Sequence, residues 1–236
     1  MFDLIVTWPT HCDYPIFRKL IRENRKRFGE VIITFSDANN IFNRVDFVKQ
    51  TMKKDDVTFL RANSRGGDWR NEAIQESLKE SQSKWVLFIE QDFIIHKPEQ
   101  FFFNLNIEMP KYDVIGFKEG ERLHPGFLLI RRECLNQTCL DFGIVPNKLD
   151  HFGLITKDIT RLGFKVGLLD DLGLERKKHY YHMNGLSHNL TLMQQGEKVT
   201  YQPDMFLSYL RSCAQAGIEL PSDFFLYYHR MKETNA

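Results

Sequence analysis

The sequence predicts an α/β protein: a mostly parallel central sheet flanked by helices, with a helical extension at the C-terminal end. Three observations predict it. Trp85-Val86-Leu87-Phe88-Ile89 is an unbroken apolar run of strand length, suited to the middle of a parallel sheet covered on both faces. Strand and helix patterns alternate from the start: Phe2 to Val6 reads as a strand, a helical stripe follows, and Glu30 to Phe35 reads as a second strand. Such a βαβ unit is right-handed almost without exception. Finally, 236 residues can bury a full core. The expected division is a main domain over residues 1–195 and a helical extension, 196–236, packed on it.

Each element has its own local reason. Trp8-Pro9-Thr10-His11-Cys12 is a loop broken by proline, Asp13 caps the next helix, and Pro15 sits in its first turn. Ile16, Phe17, Leu20, Ile21 and Phe28 mark that helix's buried stripe, and Gly29 ends it. A short helix near Val45 to Met52 and a strand from Val57 to Leu60 form the next repeat. Gly66-Gly67 can bring backbone close to a ligand, Asp68 can cap a helix, and Ala73, Ile74, Ser77 and Leu78 continue at helical spacing. Pro98 opens a helix with Phe101, Phe102 and Leu105 on its apolar face. Strands are expected at Asp113 to Phe117 and along Phe127-Leu128-Leu129-Ile130, which lies between Gly126 and the pair Arg131-Arg132. Asn147 to Gly163 reads as a helix, Phe164 to Leu169 as a strand, and His179 to Asn189 as a loop. From Tyr201 the tail is mostly helical, with Met205, Phe206, Tyr209 and Leu210 at helical spacing until Pro221.

Composition removes several classes. With 32 basic and 31 acidic residues, no global charge favours nucleic acid or an acidic membrane. The local clusters, Arg18 to Arg27 and Arg176-Lys177-Lys178, read as solvated faces. Four scattered cysteines contain no C-x-x-C pair, so neither a structural zinc nor a redox site is indicated. Free thiols in a reducing compartment are the simplest account. No signal peptide is read, and no apolar run approaches the ~20 residues that span a bilayer. A cytoplasmic protein is the expectation.

Chemistry concentrates where the apolar strand ends. Glu90-Gln91-Asp92 follows Ile89 directly, and open α/β sheets bind ligands at that end of their strands. Hard divalent cations take carboxylate oxygens, and the alternative is a turn that solvates its charges. Arg70 and Asn71 fall in the first turn of a helix, whose amino end favours anions. Gly67-Asp68-Trp69-Arg70-Asn71, the strand to Ile89, and Glu90-Gln91-Asp92 together resemble the signature of glycosyltransferase family 2 and the wider GT-A group. Glu90 stands where the family has the first Asp of its D-x-D, so Asp92 ranks ahead of it as metal ligand.

The resemblance implies a GT-A, Rossmann-like fold and a metal-dependent, inverting transfer of a sugar from a nucleotide-diphosphate donor, a UDP-sugar being favoured. It implies Mn2+ or Mg2+ held by Asp92 and by His182, whose stretch His182-Met183-Asn184-Gly185-Leu186-Ser187 is similar to the family's late His-x-x-Gly-x-Ser. His188 is the second choice. Donor binding falls to Asp37, Arg65, Asp68, Arg70 and Glu90, with Asp37 toward the nucleoside; an Asx turn is its alternative. The general base is Asp150, or alternatively that residue is only a helix cap; His151 and His124 are secondary candidates. Glu119 through Arg132 resembles an acceptor-side segment; an ordinary strand of a β-rich flap is its alternative. The acceptor is a glycan, a lipid-linked precursor or a hydroxymethylated nucleic-acid base. A nucleotidyltransferase and a non-catalytic nucleotide-sugar-binding module are the rival classes.

Overall fold

Among the described residues, nine strands and seven α-helices follow one another along the chain. The computed structural model describes residues 1–9, 14–36, 44–63, 69–120, 122–143, 152–182 and 203–220, with 225 and 229. The first half is β1 (Phe2–Pro9), α1 (Tyr14–Asn24), β2 (Phe28–Ser36), α2 (Arg44–Met52), β3 (Thr58–Arg61), α3 (Trp69–Glu80) and β4 (Trp85–Glu90). The second half is β5 (Phe93–Ile95), α4 (Pro98–Glu108), β6 (Val114–Glu119), β7 (Arg122–Arg131), α5 (Arg132–Leu135), α6 (Gly153–Arg161), β8 (Val166–Leu168), β9 (Tyr180–His182) and α7 (Pro203–Gln215). The main sheet has the order β3-β2-β1-β4-β7-β6-β8, and β5 and β9 form a separate pair. Every strand of the main sheet runs parallel to β1 except β7, which is antiparallel to both its neighbours, β4 and β6. The carboxyl ends of β4 and β6 therefore lie at one edge, together with the start of β7.

The period-2 alternation of strand side chains builds two core layers. Leu87 and Ile89 of β4 face one way, with Leu4, Val6 and Ile33, against Phe17, Leu20 and Ile21 of α1 and Phe101, Phe102 and Leu105 of α4. Val86 and Phe88 face the other way, with Ile5 and Ile32, against Ile74 of α3, Cys134 and Leu135 of α5, and Ile155 and Ile159 of α6. Among the described residues no helix is long and apolar enough to cross a membrane. The C-terminal helix α7 buries Phe206, Tyr209 and Cys213, and Tyr181 Oη of β9 donates to Met205 O.

Some expectations shift. The first helix stops at Asn24 and a 3-10 turn carries the chain into β2, so Phe28 opens a strand opposite Phe2 instead of extending the helical stripe. Arg25 closes that turn by donating to Phe28 O and Gly29 O. Of the helix expected over 147–163, the described part is Gly153–Arg161, and the strand after it shortens to Val166–Leu168. The stretch from His179, expected as a loop, begins with β9, because Tyr180 to His182 pair with Phe93 to Ile95. Three residues are too few for a strand signal; only the distant partner makes them one. The pair Arg131-Arg132, expected beside the acceptor, lies at the far edge, because β7 runs antiparallel to β4.

That far edge is organised by a buried acid. Asp3 Oδ1 accepts from Glu30 N and Ser83 Oγ, and Oδ2 from Ser81 Oγ, Gln82 N and Ser83 N, at 2.6–2.9 Å. Arg132 reinforces the cluster by donating to Ser83 O and to Ser81 Oγ. A Cβ at Gly29 would collide with Asp3 Oδ1, which is why a glycine occupies a strand position here. Burial pushes the Asp3 carboxyl up, but the bonds from Ser83, Ser81 and Glu30 outweigh it and hold it below the ordinary carboxylate value. Its stabilisation is therefore complete above the unfolded value of about 3.9 and is lost as pH falls through the folded one. Asp3→Asn should cost about 2 kcal/mol at pH 7 in urea denaturation. The difference from wild type should shrink as the pH drops below about 4.

Candidate active site

Four elements converge where β4 ends. Unbroken apolar packing on both faces carries β4 to Glu90, and Gln91 and Asp92 turn the chain into β5. Glu90, Gln91 and Asp92 are all buried, so these charges must find partners inside the protein. Arg70, in the first turn of α3, donates from Nη1 to Glu90 Oε1 at 3.0 Å. His182, the last residue of β9, places Nε2 3.1 Å from Glu90 Oε2 and 3.3 Å from Asp92 Oδ1. Arg176 steadies this end of β9 by donating from Nη2 to His182 O at 2.9 Å. His124, on β7, stands beside His182 with ring centroids 4.6 Å apart.

The surroundings push the two imidazoles in opposite directions, favouring a charged His182 beside a neutral His124. For His182, burial lowers the pKa, but Asp92 and Glu90 outweigh it and raise it to about 9. For His124, burial and the charge on His182 together push it down to about 4. Neutral His124 accepts the Gly126 N–H at Nδ1, so its proton sits on Nε2, which lies 3.0 Å from Glu119 Oε2. Glu90 itself is held well below the usual carboxylate range: burial raises it, while Arg70 and His182 bring it down. Phe117 stacks on His124 at 5.0 Å and lies 5.7 Å from His182, and Phe93 flanks His182 at 6.2 Å. Gly126 makes room for the pair, since a Cβ there would stand 3.0 Å from ring atoms of both histidines.

The donor set suits a divalent cation. Glu90, His124 and His182 each offer a ligand atom within 4.8 Å of one another, and Asp92 Oδ1 is buried without a directed hydrogen bond. Carboxylate oxygens and imidazole nitrogens are the ligands that manganese-like ions take. His124 has both ring nitrogens engaged, so Asp92 and His182, joined by Glu90, are the readier ligands. His182 must release its proton to bind metal.

Of the residues singled out from the sequence, Arg70, Glu90, Asp92, His182 and His124 come together. Asp37, Arg65, Asp68, Asp150, His151 and His188 lie outside the described residues. His96, just after β5, is engaged with the backbone, its Nδ1 3.2 Å from Lys178 O. Sequence reasoning placed Glu119 and Arg122 in an acceptor-side segment and Phe117 in a strand, and missed that all three gather around His124. The charged run Glu119-Gly120-Glu121-Arg122, close to His124 in the sequence, was a signal for the first two. Asn71 also has an unexpected role, accepting the Phe142 N–H at 3.0 Å and so tying α3 to the segment after α5.

A mostly parallel seven-stranded sheet with one antiparallel strand, flanked by helices and ending in acids beside a two-stranded ribbon, is a GT-A-like fold. Solved structures share it over nearly the whole chain. The mannosyltransferase PcManGT from Pyrobaculum calidifontis, in complex with GDP-Man and Mn2+, aligns with a TM-score of 0.57 at 12% identity, over 99% of this chain and 84% of that one. S. aureus TarS 1-349 in complex with UDP-GlcNAc aligns with a TM-score of 0.56 at 15% identity, over 99% and 72%. The bifunctional IspDF from Campylobacter jejuni aligns more loosely, at 0.45 and 15%, over 71% of this chain and only 49% of its own. No protein-family model and no curated protein sequence matches the chain.

Glu90→Gln should leave Arg70 and the His182 imidazolium short of a countercharge, costing about 3 kcal/mol. In metal-free protein, His182 stabilises the fold fully below its unfolded value of about 6.5. That contribution disappears as pH rises through about 9. NMR titration should find the His182 pKa lower in Glu90→Gln than in wild type, with a correspondingly flatter loss of stability above neutral pH.

Proposed function

We propose that the protein is a metal-dependent, inverting glycosyltransferase that uses a nucleotide-diphosphate sugar, with a UDP-sugar favoured. The observation that supports it is the meeting of Arg70, Glu90, Asp92 and His182 at the carboxyl edge of a GT-A-like sheet. In this reading Asp92 and His182 hold Mn2+ or Mg2+, which supplies countercharge to the leaving diphosphate. Arg70 adds a guanidinium from the amino end of α3, where backbone N–H groups also favour phosphate. Glu90 aims that guanidinium and carries the second hydrogen bond of His182, so it orients the donor side without taking part in bond changes.

Asp37, Arg65 and Asp68 complete the donor side, with Asp37 toward the nucleoside. Asp150 takes the proton from the acceptor hydroxyl, whose oxygen attacks the anomeric carbon opposite the diphosphate and inverts it. The acceptor is a glycan, a lipid-linked precursor or a hydroxymethylated base, and the reaction is placed in the cytoplasm. The buried aromatic lining of Phe93 and Phe117 keeps water from the two histidines, strengthening every charge interaction at the edge.

A panel of nucleotide sugars tested by thermal denaturation is the direct test. One or more, GDP-mannose and UDP-GlcNAc included, should raise the melting temperature with manganese and not without it. Asp92→Ala should abolish both that shift and donor turnover. Stabilisation by nucleoside triphosphates alone, with pyrophosphate released, would replace sugar transfer by nucleotidyl transfer. Asp150→Asn should lower the transfer rate about a hundredfold or more while leaving donor-induced stabilisation intact; unchanged turnover would remove Asp150 as the base.

A further inference from the structure

We propose that the groove between α1 and the segment following α7 binds an amphiphilic anion: one phosphate or carboxylate head on an apolar body. The groove encloses about 590 Å³, lined by Pro15, Arg18, Lys19 and Arg22 on one side and by Ile218 and Leu220 on the other. That volume is within the range of small-molecule sites, about 300–1,000 Å³. Gly217, at φ +64°, ends α7 in the left-handed region, and Ile218 N donates back to Cys213 O, turning the chain over α1.

The basic run that begins here is mostly committed within the fold. Lys19 pairs with Glu23. Arg22 donates to both Asp55 oxygens and to Thr51 O. Arg25 holds Phe28 O, Gly29 O and Asp56, and Arg27 lies over the Phe102 ring. Arg18 is different. It has no hydrogen bond or ion pair among the described residues, and its Nε is shielded from solvent without a partner. A shielded donor is costly to leave unmet, and a guanidinium fork matches a phosphate or carboxylate with two parallel bonds.

The rest of the groove sets the ligand's class. One unmatched guanidinium calls for one negative charge, and Glu219 on the opposite rim repels more. Ile218 and Leu220 offer apolar surface beside the charge. Ile218 also lines a small adjoining pocket with Ile16, Phe93, Ile95 and Pro98, so apolar surface beside the groove reaches β5, the strand that follows Asp92. The groove's chemistry is independent of the reaction at the acid cluster.

The test uses the full chain labelled with 15N-arginine. The Arg18 Nε–H signal is assigned by its loss in Arg18→Gln, and hexyl phosphate and inorganic phosphate are titrated at fixed ionic strength. Hexyl phosphate should shift the Arg18 signal saturably and bind about tenfold or more tightly than inorganic phosphate. Arg18→Gln and, separately, Leu220→Asp should each weaken hexyl phosphate about tenfold by calorimetry, with unchanged thermal melting. Wild-type affinity in both variants, or a shift confined to the Arg70 signal, overturns the proposal. Equal affinity for the two phosphates overturns its amphiphilic character.

Discussion

A carboxylate buried at the end of a dry strand is the constraint around which this molecule is arranged. Glu90 cannot remain charged there unless cations come to it, and it cannot reach them, because β4 is fixed on both faces and both edges. The partners therefore come from elsewhere. Arg70 arrives on the first turn of α3, and His182 arrives from 92 positions later in the chain. Bringing His182 in requires β9, and β9 exists only as the partner of β5. One ionised side chain thus ties a helix start, a central strand and a two-stranded ribbon to a single point.

The same economy of charge explains the neighbouring histidines. Two imidazoles with centroids 4.6 Å apart in an aromatic setting cannot both be protonated without mutual repulsion. His182, between two carboxylates, takes the charge. His124, fixed at Nδ1 by the Gly126 N–H, stays neutral and presents its remaining proton to Glu119. The absence of a side chain at Gly126 is what permits such close approach. The edge of the sheet is thereby graded, from the positive Arg70 through the Glu90–Asp92–His182 group to the half-exposed Glu119.

The opposite edge carries a different kind of acid. Asp3 is buried like Glu90, yet its partners are hydroxyls and backbone N–H groups: four of its five bonds come from the turn that joins α3 to β4, and the fifth from Glu30 N of β2. Its position holds the ends of β1, β2 and β4 together and leaves nothing facing a ligand. Arg132, from the Arg131-Arg132 pair that the sequence suggested for the acceptor side, belongs to this structural cluster, because the direction of β7 puts it there. A motif on a strand takes its meaning from the strand's direction, and direction is not written in local pattern.

What could be read without coordinates were features carried by near neighbours in the chain. The apolar run Trp85 to Ile89 announced a central strand, the repeats of strand and helix announced an α/β sheet, and Glu90-Gln91-Asp92 after the strand announced acids at the sheet's carboxyl edge. Hydrophobic period and strand-end position depend on a few consecutive residues, so they survive in the sequence. The tertiary structure alone decided that His182 is a buried strand residue, that Glu119 belongs with His124, and that Glu90 joins Arg70 to His182. Those are pairings across 5 to 92 positions. They follow from which strands lie side by side and in which direction, a property of the packed chain and not of any segment within it.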